Sequence, residues 1–358
     1  MKLDDWFELD PYGLEQGEKG VKTADYMREL CRYHYEACPE YKAILDTLGV
    51  DIEEIDSPEM VPYVPVRLFK NHYLHSVPEE EITRVMTSSG TTGQQVSRIA
   101  LSADNAKAQQ KALSRIVASY VGENRLPLMI LDSKRAIKDR KMFSARGAGI
   151  LGFSIFGKDT TYALDEDMKP DLGVIEEFLK KHGDEPILLF GYTYMIWKEF
   201  YLNLKEAGQK VDFGKGSRLF HVGGWKKLQD LAVDKDEYAG SLREQCGIEF
   251  VHNYYGMAEQ LGSIFVECEE GHLHTSIYSD VIIRDSEDFS EVSDGEAGLM
   301  EVMSVLPTSY PGHAILTEDK GRILGVDDCP CGRKGKYFEI LGRIARAEVR
   351  GCSDTYQG

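Results

Sequence analysis

The sequence predicts an α/β protein: a mostly parallel sheet flanked by helices, followed by a β-rich portion of the same globule. Three observations carry this expectation. From residue 82 onward, short apolar runs alternate with segments of helical periodicity, and Gly, Asp or Pro stand between them. Beyond Gly262 the helical signal fades and short apolar strands separated by Gly, Asp and Pro take over. Finally, the 358 residues are 42% hydrophobic and 28% charged, with 19 Tyr and 14 Phe, which is enough apolar and aromatic material for a packed core rather than a disordered chain.

Each element has a local reason. Residues 1–80 read as helical and irregular. Apolar residues at helical spacing over 23–35 place Tyr26, Met27, Leu30 and Tyr33 on or near one face. Residues 61–65 must be extended, because Pro62 and Pro65 force their predecessors out of the α region. A short strand at 83–87 leads into a Ser/Gly/Thr loop. Ser102 is placed to cap a helix reaching about Tyr120, with Ala106, Leu113, Ile116, Val117 and Tyr120 inward. Residues 127–131 form a buried strand. Pro170 can occupy the first turn of a helix reaching about His182. A second buried strand at 187–190 is followed by a helix at 193–207 that Gly208 closes. A strand at 219–222 ends on Gly223-Gly224. A helix ending at 241–245 is closed by Gly247, and the strand 248–251 follows. Further strands are expected at 277–283, 298–305, 313–317, 322–326 and 337–341.

The balance of charge excludes some partners. A net charge of −18 gives no general attraction to nucleic acid or to an anionic membrane surface. The N-terminus is acidic and lacks the apolar stretch of a secretory signal. The most apolar run, around 187–197, falls short of the ~20 residues a membrane span needs. No membrane span and a cytoplasmic location are therefore expected. The seven cysteines, Cys31, Cys38, Cys246, Cys268, Cys329, Cys331 and Cys352, are odd in number and widely spread, which argues against a disulfide framework.

Five short motifs carry chemistry. Ser88-Ser89-Gly90-Thr91-Thr92-Gly93 follows a strand; its hydroxyls and loop amides can donate to phosphate oxygens, and its two glycines permit close approach. It is not a Walker A loop, because no Gly-Lys-Ser/Thr follows. Gly223-Gly224-Trp225 ends another strand, where paired glycines let a planar ring lie against backbone. Asn253-Tyr254-Tyr255-Gly256-Met257-Ala258-Glu259 joins aromatics that can stack on a purine to a carboxylate able to hold Mg²⁺. In Thr317-Glu318-Asp319-Lys320-Gly321-Arg322, Asp319 can accept from ribose hydroxyls, although the same residues suit a hairpin turn. In Gly342-Arg343, the arginine can contact a phosphate or ribose. Taken singly, each also reads as an ordinary turn or strand end.

In this order and spacing, over roughly residues 60–350, the motifs resemble the adenylate-forming superfamily of acyl-CoA synthetases, peptide-synthetase adenylation domains and luciferases. The resemblance implies ATP and Mg²⁺ as cofactors. Ser88 to Gly93 would close over the triphosphate, Gly223 and Gly224 would flank the adenine, Tyr254, Tyr255 and Gly256 would face it, Glu259 would carry Mg²⁺, and Asp319 would hold the ribose. Val222, Trp225, Tyr254 and Met257 are candidate acyl-pocket linings by their proximity to these motifs. The implied organisation is a helical segment over 1–80 packed on the core, an α/β nucleotide-binding core over 81–262, a β-rich subdomain of the same adenylation domain over 263–345, and a tail over 346–358.

A closer resemblance is to the acyl-protein synthetase (LuxE-type) branch, which is related to phenylacetate-CoA-ligase-like enzymes. That family makes the fatty acyl-protein intermediate for fatty acid reduction in bacterial bioluminescence. Its tail carries an Arg/Lys-Gly-Cys step whose thiol accepts the acyl group, and Arg350-Gly351-Cys352 is similar to it. A thiol beside arginine near a chain end can have a lowered pKa and some reach. The resemblance implies a fatty carboxylic acid substrate, with an aryl acid as the alternative, and a fatty acyl reductase as partner. Glu259, Arg343 and Cys352 are the expected catalytic residues.

A metal site is also expected. Cys329 and Cys331, with Cys268 and one of His272 or His274, would complete a closed tetrahedral Zn²⁺ site. His274 is the favoured histidine, and phenylacetate-CoA-ligase-like members resemble this pattern. Two departures stand out. Most of the superfamily has a lysine just after the phosphate loop; here Gln94-Gln95-Val96-Ser97-Arg98 follows. The small C-terminal domain with its adenylation lysine is expected to be absent or vestigial. These departures keep two alternatives in view: an aryl- or acyl-CoA ligase, and a non-catalytic nucleotide- or acyl-binding subunit.

Overall fold

Five parallel strands form the sheet of one of two compact units. In spatial order they are Gly157–Leu164, Leu126–Ser133, Leu188–Tyr192, Arg218–Val222 and Phe250–Tyr255. The computed structural model describes residues 2–88, 96–138, 145–225 and 230–344. Of these, 117–138, 145–225 and 230–255 belong to this unit, and 2–88, 96–116 and 256–344 to the other. Every residue of Leu188–Tyr192 is buried, as a strand covered on both faces requires, and so its sequence shows no alternation. Phe153 from the helix Ala145–Ser154 stacks on Phe190 with ring centroids 4.3 Å apart. Counted along the chain, the strand order is 2-1-3-4-5. Winding therefore reverses between Leu126–Ser133 and Leu188–Tyr192, and in open α/β sheets ligands bind outside the carboxyl ends at such a reversal.

Three details of this unit differ from expectation. The helix Leu172–His182 is capped by Asp171, whose carboxylate accepts from the Val174 amide at 3.1 Å. Pro170 lies before that cap and bridges to Leu164, because a carboxylate at the N-cap satisfies a donor that proline cannot. The expected helix at 193–207 contains a π-helical stretch, Ile196–Leu202, between Thr193–Met195 and Asn203–Glu206. Trp197 and Tyr201 stack there at 4.4 Å. The strand Gly157–Leu164 was not anticipated: it pairs along one side with Leu126–Ser133, and its polar middle, Lys158 to Thr160, is exposed.

The other unit is mainly antiparallel. Ser279–Arg284, Gly298–Ser304, Ala314–Val326, Lys336–Arg343, Leu273–His274 and Phe265–Glu267 pair in that order, with Val64–Pro65 parallel to Ala314–Val326. A separate hairpin pairs Ile82–Thr87 with Arg98–Ser102. The strands expected at 313–317 and 322–326 are one strand, Ala314–Val326. A register shift against Lys336–Arg343 at Lys320/Gly321 absorbs the Asp-Lys-Gly stretch that reads as a turn, a second follows at Ile323/Gly325, and Thr317 Oγ1 donates to Met300 O at 2.8 Å.

The helix Gln16–Ala37 begins earlier than 23–35, because its first turns are anchored by polar contacts rather than apolar ones. The buried Lys19 ammonium donates to Thr275 Oγ1 at 2.9 Å and lies 3.8 Å from Asp280. Burial lowers its pKa to about 8, with Asp280 opposing the shift. Ser102 accepts from the Asn105 amide at 3.2 Å, as a cap should. Among the described residues, no helix is long and apolar enough to cross a membrane.

Candidate active site and candidate metal centre

In the parallel-sheet unit, the strand Arg218–Val222 delivers Gly223 and Gly224 at its carboxyl end. Gly223 has φ +86°, a left-handed conformation that only glycine adopts without strain. A Cβ on Gly223 would lie 3.5 Å from Tyr192, whose strand borders the winding reversal. A Cβ on exposed Gly224 would meet nothing among the described residues within 4 Å. Val222 is half-buried. Trp225, also half-buried, sits edge-on to Trp197 and Tyr238 at 5.9 and 6.0 Å. It is thereby one wall of an aromatic cluster. Tyr254 and Tyr255 end the strand Phe250–Tyr255, and Tyr254 is stacked near Phe153 at 5.9 Å.

Two residues that the sequence reading passed over stand beside these. His221 precedes Val222 on the same strand, bonds Thr193 Oγ1 at 2.8 Å, and is pushed down to about 3 by burial, which keeps it neutral. Asp132, fully buried near the carboxyl end of Leu126–Ser133, receives a two-pronged bond from buried Arg146. Their only sequence signal was placement at strand ends.

The antiparallel unit carries the two acidic residues expected from the sequence, Glu259 and Asp319. Ser88 closes the base of its hairpin: its amide donates to Ser97 O at 3.2 Å, and its hydroxyl accepts from the Ser97 amide at 2.9 Å. Ser89, Gly90, Thr91, Thr92 and Gly93 lie outside the described residues. Arg98, where a lysine was looked for, opens the second hairpin strand opposite Thr87, with its guanidinium 5.1 Å from the centre of the Tyr73 ring. Gly256 packs close to Ile264, since a Cβ there would lie 3.2 Å from it, and Met257 is half-buried.

Glu259 sits in a single 3₁₀ turn, Ala258–Gln260, and is only 3% exposed. Its Oε1 has no hydrogen-bond partner among the described residues. A buried carboxylate oxygen left open in this way fits a hard cation such as Mg²⁺, which takes few protein oxygens and keeps those of its substrate. Asp319 and Arg343 lie directly opposite each other on adjacent strands, and Arg343 Nε donates to Asp319 at 2.9 Å. The sequence had named them for separate contacts; the fold makes them a pair.

Cys268, His274, Cys329 and Cys331 are brought together as well. Their ligand atoms all lie within 4.8 Å of one another. The Sγ atoms of Cys268 and Cys329 are 3.9 Å apart, and Cys331 Sγ is 3.4 Å from His274 Nε2. Zinc–sulfur bonds of roughly 2.3 Å in a tetrahedron separate the sulfurs by roughly 3.8 Å, so the cluster has the dimensions of a closed zinc site. His272 stands just outside the quartet, with Nδ1 3.4 Å from Cys329 Sγ, where it can donate to a thiolate. The rings of both histidines stack on Tyr337. The six described cysteines form no disulfide. Cys352 lies outside the described residues.

Comparison with known proteins gives a consistent picture. The family model described as acyl-protein synthetase, LuxE, matches residues 2–357. A long-chain-fatty-acid–luciferin-component ligase of Vibrio harveyi is 24% identical over 351 residues, covering 94% of this chain and 87% of that protein. The ligase of the same name from Aliivibrio fischeri is 24% identical over 336 residues, 91% and 85% of the two chains. A phenylacetate-coenzyme A ligase of Thermus thermophilus is 40% identical over 73 residues, 19% of this chain and 16% of that one. Among solved structures, a 2-hydroxyisobutyryl-CoA ligase in complex with its acyl-AMP superposes with a TM-score of 0.67 at 18% identity, covering 92% of this chain and 69% of its own. The mixed α/β fold is shared with that ligase.

Proposed function

This chain belongs to the acyl-protein synthetase (LuxE) family, and from that premise we propose that it activates a long-chain fatty acid with ATP and passes the acyl group to a protein cysteine. In the first step a carboxylate oxygen of the acid attacks the α-phosphorus of ATP; pyrophosphate leaves with the bonding pair, and acyl-AMP remains. In the second, a thiolate attacks the acyl carbonyl carbon, and AMP leaves with the pair of the broken acyl–phosphate bond. Cys352 is the acceptor on this reading, and a fatty acyl reductase then takes the acyl group from it.

The observation that carries the proposal is the buried Glu259 carboxylate with an open oxygen. Glu259 would hold Mg²⁺, which when bound neutralises charge on the phosphates. Ser88 to Gly93 would donate to the triphosphate. Gly224 would take the adenine ring, with Gly223 setting its angle and Tyr254 and Tyr255 facing it. Arg343 holds the Asp319 carboxylate in one orientation, ready to accept from the ribose hydroxyls. Val222 and Trp225 would line the acyl group. Cys268, His274, Cys329 and Cys331 would hold a structural Zn²⁺, since four protein ligands leave no open position for substrate. The cytoplasm is the location this chemistry suits, where ATP is abundant and thiols stay reduced.

The test is incubation with radiolabelled acid, ATP and Mg²⁺, using both fatty and aryl acids, followed by hydroxylamine treatment of the protein. The expected result is a hydroxylamine-labile acyl label on the protein that Cys352→Ala abolishes, while acid-dependent acyl-AMP formation, read as pyrophosphate release, survives the substitution. The segment similar to phenylacetate-coenzyme A ligase favours one other reading, with coenzyme A as acceptor. Undiminished thioester formation on coenzyme A by the Cys352→Ala variant, with no label on wild-type protein, would establish that reading instead.

A further inference from the structure

The turn that carries Glu259 is held by side chains to which no role in the reaction has been given. A single 3₁₀ turn of three residues has little internal hydrogen bonding to fix it. Here the fixing comes from outside. The Tyr310 hydroxyl donates to the Glu259 carbonyl oxygen at 2.9 Å, and Tyr310 is fully buried. The Gln260 side-chain amide, also buried, donates at 2.9 Å to the carbonyls of both Val302 and Gly312, and at 3.4 Å to that of His313. Gly312 closes the arrangement, because a Cβ there would collide with the Tyr310 ring and come within 3.1 Å of the Glu259 carbonyl oxygen. The Tyr310 ring is itself packed edge-on against Phe69 at 6.0 Å.

The contrast within one residue is the informative point. The Glu259 carbonyl is bonded and the following side chain is tied to strand Gly298–Ser304 and to the segment before Ala314–Val326. Yet carboxylate oxygen Oε1 of Glu259 is buried without a partner. Gln260 Oε1 on the same turn is also without a partner among the described residues, but a carboxylate oxygen left so is the costlier of the two to bury. Fixing the backbone while leaving the carboxylate open aims the carboxylate at a ligand.

We infer that Tyr310 and Gln260 are positioning residues for Glu259, setting where its carboxylate meets the metal–nucleotide ligand. The inference rests on the Mg²⁺ role proposed above for Glu259. Removing partners that orient a metal-binding side chain costs about 10- to 100-fold in metal affinity.

The test uses the full chain, ATP and Mn²⁺ as the probe. Equilibrium binding of ATP is measured with and without Mn²⁺ for wild type, Glu259→Gln, Tyr310→Phe and Gln260→Met, and melting temperature is followed alongside. Tyr310→Phe keeps the ring and removes only the donor. The expected result is that Mn²⁺ strengthens ATP binding to wild type, that Glu259→Gln abolishes this gain, and that Tyr310→Phe reduces it about tenfold with binding of metal-free ATP unchanged. Gln260→Met should follow Tyr310→Phe. A Mn²⁺ gain in Tyr310→Phe and Gln260→Met equal to that of wild type, with Glu259→Gln still losing it, would overturn the positioning role alone. A Glu259→Gln variant that keeps the full Mn²⁺ gain would overturn the assignment of Glu259 as well. Equal loss of metal-free and Mn²⁺-supported binding in Tyr310→Phe would mark its role as structural, and the inference would fail.

Discussion

The Cys/His quartet and the Glu259 turn lie in the same unit, and both gather groups suited to a cation, but they are built in opposite ways. The quartet offers a full set of four: three thiols and an imidazole converge with their ligand atoms within 4.8 Å of one another. Nothing about it invites a further ligand. The Glu259 turn offers one buried oxygen and clamps the backbone behind it. A closed set of soft ligands belongs to folding, and a single hard ligand with a free face belongs to chemistry. The sequence reading already distinguished a closed structural Zn²⁺ site from a Mg²⁺ carboxylate at the nucleotide, and the fold builds the two groups of residues in correspondingly different ways.

The difference can be broken at either end. The largest expected effect is on the closed set. Cys329→Ser should remove the zinc found in wild-type protein at about one equivalent, and should lower stability by several kcal/mol, on the order of what a structural zinc contributes. Metal analysis and thermal melting check this. Wild-type protein free of metal and melting together with the variant would contradict it. Next in size, Glu259→Gln should lower acyl-AMP formation by roughly 10²- to 10³-fold, comparable to losing one preorganised electrostatic contact in a transition state. Its melting temperature should stay level, because the substitution keeps the shape of the side chain and Oε1 has no hydrogen-bond partner among the described residues to lose. Acid-dependent ATP–pyrophosphate exchange and a melting curve measure the two halves. A destabilised Glu259→Gln variant would place the residue in the same class as the cysteines.

The smallest effect belongs to the other unit. His221 is held neutral by burial, with its pKa lowered to about 3. A base whose folded pKa lies below its unfolded value stabilises the fold above the unfolded pKa of about 6.5, and that stability is lost as pH falls toward 3. Replacing it with glutamine, which keeps a hydrogen-bonding group near Thr193 Oγ1, should flatten part of the acid limb of melting temperature against pH. Identical acid limbs for the two proteins would contradict this.

Much of this arrangement was legible in the chain, for identifiable reasons. Buried parallel strands read as uninterrupted apolar runs, which is why 187–190 stood out. Glycines ending strands mark places where the backbone must turn or stay bare, as Gly223 does at φ +86°. Ligand spacing in Cys329-Pro330-Cys331 is local, so half of the quartet could be read directly. Other features depend on partners distant in sequence. The strand Gly157–Leu164 is polar because its middle is exposed, so it lacks the apolar signature. Thr317 to Arg322 has turn composition, yet it is strand, because a register shift against the neighbouring strand at Lys320/Gly321 accommodates it. Pairing of Asp319 with Arg343, the bond from Tyr310 to the Glu259 peptide, and the Asp132–Arg146 pair all join residues whose proximity only the fold creates.

The claim at the centre of this account is that the chain forms an acyl-AMP, and it can be isolated from every question about the acceptor. In ATP–pyrophosphate exchange, labelled pyrophosphate enters ATP only if adenylation occurs and reverses. The account predicts exchange by the wild-type chain that requires a long-chain fatty acid and Mg²⁺, is unaffected by Cys352→Ala, and nearly vanishes in Glu259→Gln. Exchange that no carboxylic acid stimulates, from protein that is folded and binds ATP, would contradict it.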